Sequence, residues 1–324
     1  MRLLKWAGMG LAGVIGVVVV AFGLVYLTSE SRINQEWSVN PPAVTAASFV
    51  AASADGSGMD DSGARSGEEA DDAMAERIEW GAHIAETRGC RDCHGQDLGG
   101  GLFADAMPVM QLYGTNLTPA GAGATYTDAD WVRAIRHGIG PDGKALLFMP
   151  SYEYYYTGDR DLAALIAYLK SLPAVEREVP ESKVGPLGRA LYVMGKLPLL
   201  AAELIDHEAP RPVAPPRGAT LEYGEYLAMN CIGCHGDGFS GGLIPGVPPE
   251  WPAAANIPPD PETGIGGWSR EQFVAAFTTG VRPDGRQIQP QFMPWPNFAQ
   301  FEPDEVEAVW MYLQTVPAKE HGGR

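Results

Sequence analysis

The chain opens with an apolar run and continues with segments in which helical periodicity alternates with polar loops. Trp6 to Leu27 is a run of 22 residues without a charged side chain, and Arg2 and Lys5 precede it. Such a run is long enough to cross a bilayer as one helix, and the basic flank holds the N-terminus in the cytoplasm. We predict an uncleaved transmembrane anchor over residues 1–30. A cleaved signal peptide is the alternative, but its apolar core would be shorter, and a small-residue cleavage site would follow it.

The next segment, residues 31–75, is rich in Ala, Gly, Ser, Asp and Glu. Between Ala51 and Asp72 one basic residue, Arg65, stands against seven acids. A composition of this kind buries too little apolar surface to fold, so we predict a disordered acidic tether. A flexible chain of this length spans roughly 35–40 Å, and repulsion between its acids extends it further.

The rest of the chain is an internal repeat whose offset drifts from about 140 to 144 residues. The matching features are Trp80-Gly81 with Tyr223-Gly224, Gly100-Gly101-Leu102 with Gly241-Gly242-Leu243, Asn116 with Asn256, 138–143 with 280–285, Phe148-Met149-Pro150 with Phe292-Met293-Pro294, and 168–173 with 312–317. Self-similarity of this kind indicates repeated structural units. We predict two tandem domains, at 76–173 and 220–324, joined by an interdomain strap at 174–219.

Each repeat is predicted to be mainly α, with long loops between its helices. Opening helices are expected at about 73–89 and 221–230, middle helices follow a capping Thr or Ser, and closing helices carry apolar residues at helical spacing. The capping residues and helix stops are Thr127, Ser269, Gly138, Gly280, Pro173 and Pro317. No strand pattern of any length is visible. The predicted fold class is mainly α, with two tandem domains behind a transmembrane helix.

The interdomain strap is rich in proline at both ends and largely apolar between residues 187 and 205, where Pro198 interrupts any helix. One interpretation is a segment packed across both domains. The other is a surface for a partner subunit or for the membrane interface. Both interpretations stay open from the sequence.

All four cysteines of the chain occur in two copies of one motif. The copies are Cys90-Arg-Asp-Cys93-His94 and Cys231-Ile-Gly-Cys234-His235. The pattern C-x-x-C-H is typical of c-type haem attachment. Two thiols three residues apart on a helical turn meet the two vinyl groups of one porphyrin, and the following histidine points at the iron. We therefore predict two covalently bound haem c groups, attached on the outer side of the energy-conserving membrane, which agrees with the predicted anchor.

Zinc binding and dithiol redox chemistry are the alternatives for a C-x-x-C pair. Zinc needs four ligands at a structural site, whereas each repeat offers two cysteines and one obvious histidine. The use of every cysteine in two identical frames favours haem.

A sixth iron ligand is expected from a methionine in each repeat. Met149 and Met293 occupy the same point of their repeats, and each lies between a Phe and a Pro. Proline stiffens the loop, because it fixes its own φ and restricts the residue before it. Met107 is the rival in the first repeat, but it has no counterpart in the second. His/Met ligation raises the reduction potential of the haem iron.

Other residues are weaker candidates. His83 is expected to pack or to lie on the surface rather than to approach a haem. Arg282 is a candidate partner for a haem propionate, although a solvated surface arginine is the simpler interpretation. Aromatic residues after each methionine loop are expected to pack beside the cofactor. A backbone carbonyl that orients each haem-binding histidine is also expected.

The formal net charge of −17 bears on partners. It argues against nucleic acid, because the chain has too few cations to neutralise a phosphate backbone. It also argues against docking flat on an anionic lipid surface. It permits electrostatic steering toward a partner protein with a basic face.

Residues 76–173 and 220–317 each resemble a class I cytochrome c domain. The resemblance rests on C-x-x-C-H near the start, a late Met-Pro loop, and a closing helix that ends in Y-L-x-x-x-P. The pattern Gly-x-x-Pro-Asp-Gly followed by Met-Pro is similar to the cytochrome subunits of membrane-bound alcohol and gluconate dehydrogenases. The resemblance implies a haem protein that transfers electrons with redox partner proteins of a membrane-bound complex.

The expected function is relay of single electrons between a membrane donor and an acceptor in a respiratory or photosynthetic chain or a dehydrogenase complex. The expected location is the cell inner membrane, crossed once, with the haem domains on the periplasmic side. No catalytic residues are predicted. The alternatives are a dihaem peroxidase-like enzyme, which needs one iron open to substrate, and a structural haem subunit of a larger complex.

Overall fold

The sequence repeat folds as two copies of a helical frame. The computed structural model describes residues 2–44, 67–248 and 250–323. Within these ranges the helices are α1 (Arg2–Ile33), α2 (Gly67–Thr87), α3 (Cys90–His94), α4 (Ala122–Thr125), α5 (Asp128–His137), α6 (Ser151–Tyr154), α7 (Asp159–Ser171), α8 (Pro186–Val193), α9 (Leu221–Ala228), α10 (Ile232–His235), α11 (Arg270–Thr279), α12 (Trp295–Phe298) and α13 (Pro303–Leu313). Short 3₁₀ turns lie at Ala201–Leu204 and Met229–Cys231.

The opening and closing helices of each repeat cross in direct contact. In the first repeat, α2 crosses α7 at Gly81, where a Cβ atom would overlap the carbonyl oxygen of Ala164. In the second repeat, α9 crosses α13 at Gly224, where a Cβ atom would overlap the carbonyl oxygen of Ala308. A glycine is needed because only a residue without a Cβ lets the two backbones come this close. This contact explains why an aromatic-glycine pair is repeated.

The middle helices begin and end as predicted. At the start of α5, Thr127 forms a capping box with Asp130, and α11 begins with a capping box between Ser269 and Gln272. Both helices end at a glycine in the left-handed region, Gly138 in α5 and its counterpart in α11. The closing helices bury their apolar stripe: Leu162 and Leu313 are almost fully inaccessible to solvent. The mainly α prediction is confirmed for both domains.

The prediction of no strands is wrong for the first domain. Strands β1 (Gly101–Ala106) and β2 (Met110–Gly114) pair antiparallel, and β3 (Lys183–Val184) adds to the far edge of β2. The register of the first pair shifts between Leu102 and Ala104, so the alternation of apolar and polar residues is interrupted. The third strand comes from the interdomain strap. A local sequence pattern does not predict that β3 pairs with β2, because the two strands are far apart along the chain.

The interdomain strap packs on both domains. On the first domain, Leu199 and Leu200 are buried, and the carbonyl of Leu199 accepts a hydrogen bond from the backbone N–H of Phe148 at 2.8 Å. Further along, Ala214 packs against the core of the second domain, and Arg160 donates to the carbonyl of Pro215 at 3.3 Å. The strap therefore joins the two cores and supports the loop that carries Met149.

The predicted tether, residues 31–75, is corrected at both ends. After α1, the backbone N–H of Trp37 donates to the carbonyl of Gly143 at 2.8 Å, and Val44 is buried in the core of the first domain. At the other end, α2 begins at Gly67 rather than near residue 73. Two apolar residues, Trp37 and Val44, are enough to attach this part of the segment to the first domain, although its average composition is polar. Residues 45–66 of the predicted tether lie outside the described residues.

Among the described residues, one helix is long and apolar enough to cross a membrane. It covers Gly10–Ile33 with a mean hydropathy of 2.5 over its most apolar window, and none of that window is buried against the protein. The apolar side chains described in α1 are largely exposed, with Trp6 at 70% and Leu27 at 66%.

The two domains meet through buried polar contacts. Tyr226 of the second domain donates to Asp161 of the first at 2.7 Å, and its hydroxyl accepts the backbone N–H of Gly158 at 3.1 Å. His83 stacks on Trp80 and lies 2.8 Å from a carboxylate oxygen of Glu305. His83 therefore has the expected packing role, and it packs at the interface between the two domains.

We expect Gly81→Ala to lower the free energy of unfolding by about 1–3 kcal/mol, because the added methyl group forces α2 and α7 apart. Denaturant unfolding of the full chain, followed by circular dichroism, measures the change. Gly267→Ala is the matched control, since a Cβ there meets nothing within 4 Å. Equal destabilisation by both substitutions would contradict the packing argument.

Candidate functional site

Each C-x-x-C-H motif forms a short helical turn directly after the opening helix. In the first domain the motif is α3, and in the second it spans a 3₁₀ turn and α10. Both turns end at a glycine with a positive φ, Gly95 at 80° and Gly236 at 77°. The carbonyls of His94 and His235 then each accept a backbone N–H at 2.8 Å, from Gly100 and Gly241 respectively. The two motifs therefore share one backbone geometry.

The first cavity brings together the four predicted haem-binding side chains of its domain. It has an empty volume of about 850 Å³, which includes space open to solvent. Cys90, Cys93, His94 and Met149 all line it, and its remaining wall is mainly apolar, with Trp131 among the buried residues.

The second cavity has the same set of side chains and is larger. Its empty volume is about 1850 Å³, and it is lined by Cys231, Cys234, His235 and Met293. Phe273, Phe277 and Phe298 contribute aromatic walls. This cavity extends to the domain interface, where Asp92 and Glu153 of the first domain also line it.

A backbone carbonyl orients each histidine, as expected. His94 donates from Nδ1 to the carbonyl of Thr115 at 2.8 Å, and His235 donates from Nδ1 to the carbonyl of Ala255 at 2.7 Å. Because Nδ1 is the donor in this hydrogen bond, Nε2 is the ring nitrogen that can act as a metal ligand. Burial lowers the pKa of His94, so its imidazole stays in the neutral, ligating form.

Thr115 and Ala255 were not identified from the sequence, although the repeat contains a signal for them. Each directly precedes the repeated asparagine, Asn116 or Asn256. Asn116 donates to the carbonyl of Val175 at 2.8 Å, and Asn256 donates to the carbonyl of Lys319. The asparagine thus anchors the loop that carries the orienting carbonyl. A repeated asparagine at a loop position was the clue.

The two methionines lie on identical turns. Pro150 has φ −80° and ψ 52°, and Pro294 has φ −78° and ψ 55°, values of an inverse γ-turn. The carbonyl of Met149 accepts the N–H of the second residue after it at 2.8 Å, and the carbonyl of Met293 does so at 2.7 Å. The rival Met107 is 53% exposed in the turn between β1 and β2 and lines neither cavity.

Three of the four cysteine thiols are unsuited to redox exchange as free groups. Burial raises the pKa of Cys90 to about 12, that of Cys93 to about 11 and that of Cys231 to about 12. A catalytic dithiol needs a lowered pKa, because the thiolate is the nucleophile. In the described part of the chain, no group of three or more His, Cys, Asp or Glu side chains is placed to hold a metal ion. Neither alternative to haem gains support.

Arginines line the second cavity. Arg282 and Arg286 both belong to its wall, and the buried Nε of Arg282 has no hydrogen-bond partner. Arg286 is paired with Asp284 at 2.6 Å. A buried, unpaired guanidinium nitrogen fits an anionic group such as a haem propionate. The position of Arg282 in the cavity wall favours the propionate interpretation over a solvated surface arginine, whereas Arg286 is exposed and already paired.

Comparison with known proteins agrees with this geometry. Residues 76–169 match the family model described as cytochrome C oxidase, cbb3-type, subunit III, and residues 221–317 match the family model described as cytochrome c. The chain is a dihaem c-type cytochrome. Both of its domains are cytochrome c domains.

Several dehydrogenase subunits are similar to this cytochrome. It is 29% identical over 278 residues to the fructose dehydrogenase cytochrome subunit of Gluconobacter japonicus, covering 76% of this chain and 54% of that protein. It is 28% identical over 293 residues to the alcohol dehydrogenase (quinone) cytochrome c subunit of Gluconobacter oxydans, covering 80% and 58%. The gluconate 2-dehydrogenase cytochrome c subunit of Pantoea cypripedii is 29% identical over 291 residues, covering 78% and 62%. This cytochrome therefore spans little more than half the length of these relatives. The resemblance expected from the Met-Pro pattern is confirmed.

The remaining histidines of this cytochrome lie away from both cavities. His137 and His207 face each other with their Nδ1 atoms 3.0 Å apart, and His207 donates from Nε2 to the carbonyl of Ala202 at 3.0 Å. Burial and the neighbouring imidazole lower the pKa of His137 to about 4. The pair holds the interdomain strap against α5 and has no contact with the haem-binding side chains in the described structure.

We expect Arg282→Gln to lower the reduction potential of the second haem by roughly 40–90 mV, because removal of a nearby cation favours the oxidised iron by about 1–2 kcal/mol. A spectroelectrochemical titration that resolves the two haems measures the shift. Arg270→Gln is the control, since Arg270 is half exposed and pairs with Glu307 outside the cavity. An unchanged potential in Arg282→Gln would contradict the propionate assignment.

Proposed function

We propose that this cytochrome binds two haem c groups covalently and relays single electrons within a membrane-bound dehydrogenase complex. The first haem is held by thioethers to Cys90 and Cys93, with His94 and Met149 as iron ligands. The second is held by thioethers to Cys231 and Cys234. Its iron ligands are His235 and Met293.

The donor set supports this assignment. Each cavity combines two thiols, one imidazole and one thioether inside a mainly apolar wall. When bound, haem c supplies a one-electron couple, and histidine with methionine ligation places that couple at high potential. The protein's part is to orient the imidazole through a carbonyl, to hold the methionine on a stiff turn and to exclude water from the iron.

The single observation that carries the relay is a shared wall between the two cavities. Arg88, Gly89, Cys93 and Tyr154 line both of them. Tyr154 is held there by a hydrogen bond from its hydroxyl to the carbonyl of Arg88 at 3.0 Å. These shared residues therefore form the partition between the two haem pockets. Such proximity supports electron passage from one haem to the other inside this chain.

The partners and the location follow from the relatives and from α1. Three relatives are named as cytochrome subunits of fructose, alcohol and gluconate dehydrogenases. By analogy, a dehydrogenase subunit delivers electrons to this cytochrome. The apolar helix α1 supports a single membrane crossing of the cell inner membrane, and the basic residues before it support haem domains on the periplasmic side.

The enzyme alternative requires an iron without a firmly held methionine. Both methionines sit on the same inverse γ-turn, and both line their cavities. A dihaem peroxidase-like role therefore gains no support from the two sites. The relay is the function that the matched cavities favour.

We expect Met149→Ala and Met293→Ala each to abolish the long-wavelength Met–iron absorption of one haem and to leave that of the other. The loss of the soft ligand also lowers the potential of the altered haem. Absorption spectra of the oxidised protein and a redox titration measure both effects, with Met107→Ala as the control that changes neither.

Persistence of both bands in either variant would contradict the ligand assignment. Rapid peroxide turnover by the unmodified protein would contradict the relay and favour the enzyme alternative. Unchanged turnover of the whole dehydrogenase complex in both methionine variants would favour a purely structural haem subunit.

A further inference from the structure

We propose that strap residues 183–205 form the membrane-contacting surface of this cytochrome. They bind the polar end of α1, and their exposed apolar side chains insert into the headgroup layer of an anionic bilayer. The proposal rests on the anchoring role of α1 proposed above and deepens it. The sequence predicts a long flexible tether between the anchor and the haem domains. The structure instead supports a first domain that lies directly on the membrane.

The first contact is between α1 and α8. Arg189 of α8 donates to the hydroxyl of Ser29 at 2.9 Å and pairs with the carboxylate of Glu30 at 2.8 Å. Its guanidinium also lies 4.7 Å from the centre of the Tyr26 ring. Ser29 is fully buried by this packing. One strap arginine thus contacts three residues on one face of the last turns of α1.

The second contact, between Arg32 and strap residues 192 and 203, holds the same end of α1. Arg32 donates from Nε to Glu203 at 2.9 Å, and its guanidinium lies 4.1 Å from the centre of the Tyr192 ring. Tyr192 is buried and donates its hydroxyl to Glu203 at 2.7 Å. A linked network of this kind resists rotation of the helix more than isolated surface pairs do. The anchor is therefore joined to the folded domain.

The position of this joint along α1 sets its depth relative to a bilayer. The uncharged run ends at Leu27, and the first acidic residue after it is Glu30. Tyr26 lies at the end of that run and Trp6 at its start, the places where aromatic residues mark the two membrane interfaces. Because Arg189 contacts α1 at residues 26–30, α8 lies at the level of the headgroups.

The surface around the joint has the chemistry of an interfacial segment. Leu187, Met194 and Leu204 are 46%, 60% and 59% exposed, whereas the neighbouring Leu199 is fully buried. These are large apolar side chains with no covering element in the described structure, and they lie on the strap that holds α1. Their continuity with the apolar helix favours lipid as the occupant of this surface.

The charge of the segment is reversed relative to the rest of the chain. Residues 183–205 contain three basic residues, Lys183, Arg189 and Lys196, against one acid, Glu203, in a chain with a net charge of −17. Lys183 and Lys196 are exposed. Basic residues near a membrane are attracted to anionic headgroups. The overall charge argues against flat docking on an anionic lipid surface, but this segment supplies a local patch of the right sign.

A crosslinking experiment on the full-length holoprotein tests the proposal. A photoreactive diazirine side chain is placed at position 187 or 194, and the protein is reconstituted in vesicles of phosphatidylethanolamine and phosphatidylglycerol. The matched control is position 213, because Val213 belongs to the same strap, is 85% exposed and lies outside residues 183–205. We expect phospholipid adducts at 187 and 194 by mass spectrometry, and a several-fold lower yield at 213.

A second variant tests the joint. Arg189→Gln removes the contacts to Ser29 and Glu30, and we expect the lipid adduct at position 187 to fall several-fold while the haem spectra stay unchanged. Equal yields at all three positions, or none at 187 and 194, would overturn the proposal. Adducts to another protein in native membranes, in place of lipid, would also overturn it, in favour of a partner subunit.

Failure of this proposal is distinguishable from failure of the electron relay. An intact mass showing cleavage at or before Leu27 would remove the anchor and with it the membrane surface, while leaving two haems and their spectra in place. Loss of the haem spectra with lipid adducts retained would instead contradict the relay and leave the membrane surface standing.

Discussion

In each domain, two thiols and an imidazole from one short motif have to face the same apolar cavity as a thioether from far along the chain, and the rest of the fold serves this requirement. The crossing at Gly81 and its counterpart at Gly224 set the closing helix against the opening one. The C-x-x-C-H turn, which directly follows the opening helix, lies in the wall of the cavity. A carbonyl then turns the imidazole inward, and a Met-Pro turn presents the sulfur.

The domain interface brings the two sites next to each other. Polar groups that are normally costly to bury are paired across it, as in the contact between Tyr226 and Asp161. The same interface brings Tyr154 and Cys93 into the walls of both cavities. The strap strengthens this arrangement, because it packs on both domains and supports the loop of Met149. Its other end holds α1, so one segment links the cofactor loop, the domain interface and the proposed anchor.

Local patterns in the sequence were enough for the features that depend on neighbouring residues. The capping residues Thr127 and Ser269, the two C-x-x-C-H turns and the paired Met-Pro loops all follow from residues within a few positions of each other. Features made by distant contacts escaped. Strand β3 pairs with a strand about 70 positions earlier, and Trp37 and Val44 pack on residues that composition alone does not reveal. The carbonyl of Thr115 is indicated only indirectly, by the repeated asparagine that follows it.

The most direct test of the account is the intact mass of the purified protein, expressed together with the haem-attachment machinery. The account predicts the mass of the polypeptide plus two haem groups, with no titratable thiol and an intense Soret band. A mass equal to the bare polypeptide, with four free thiols and no Soret absorbance, would contradict it.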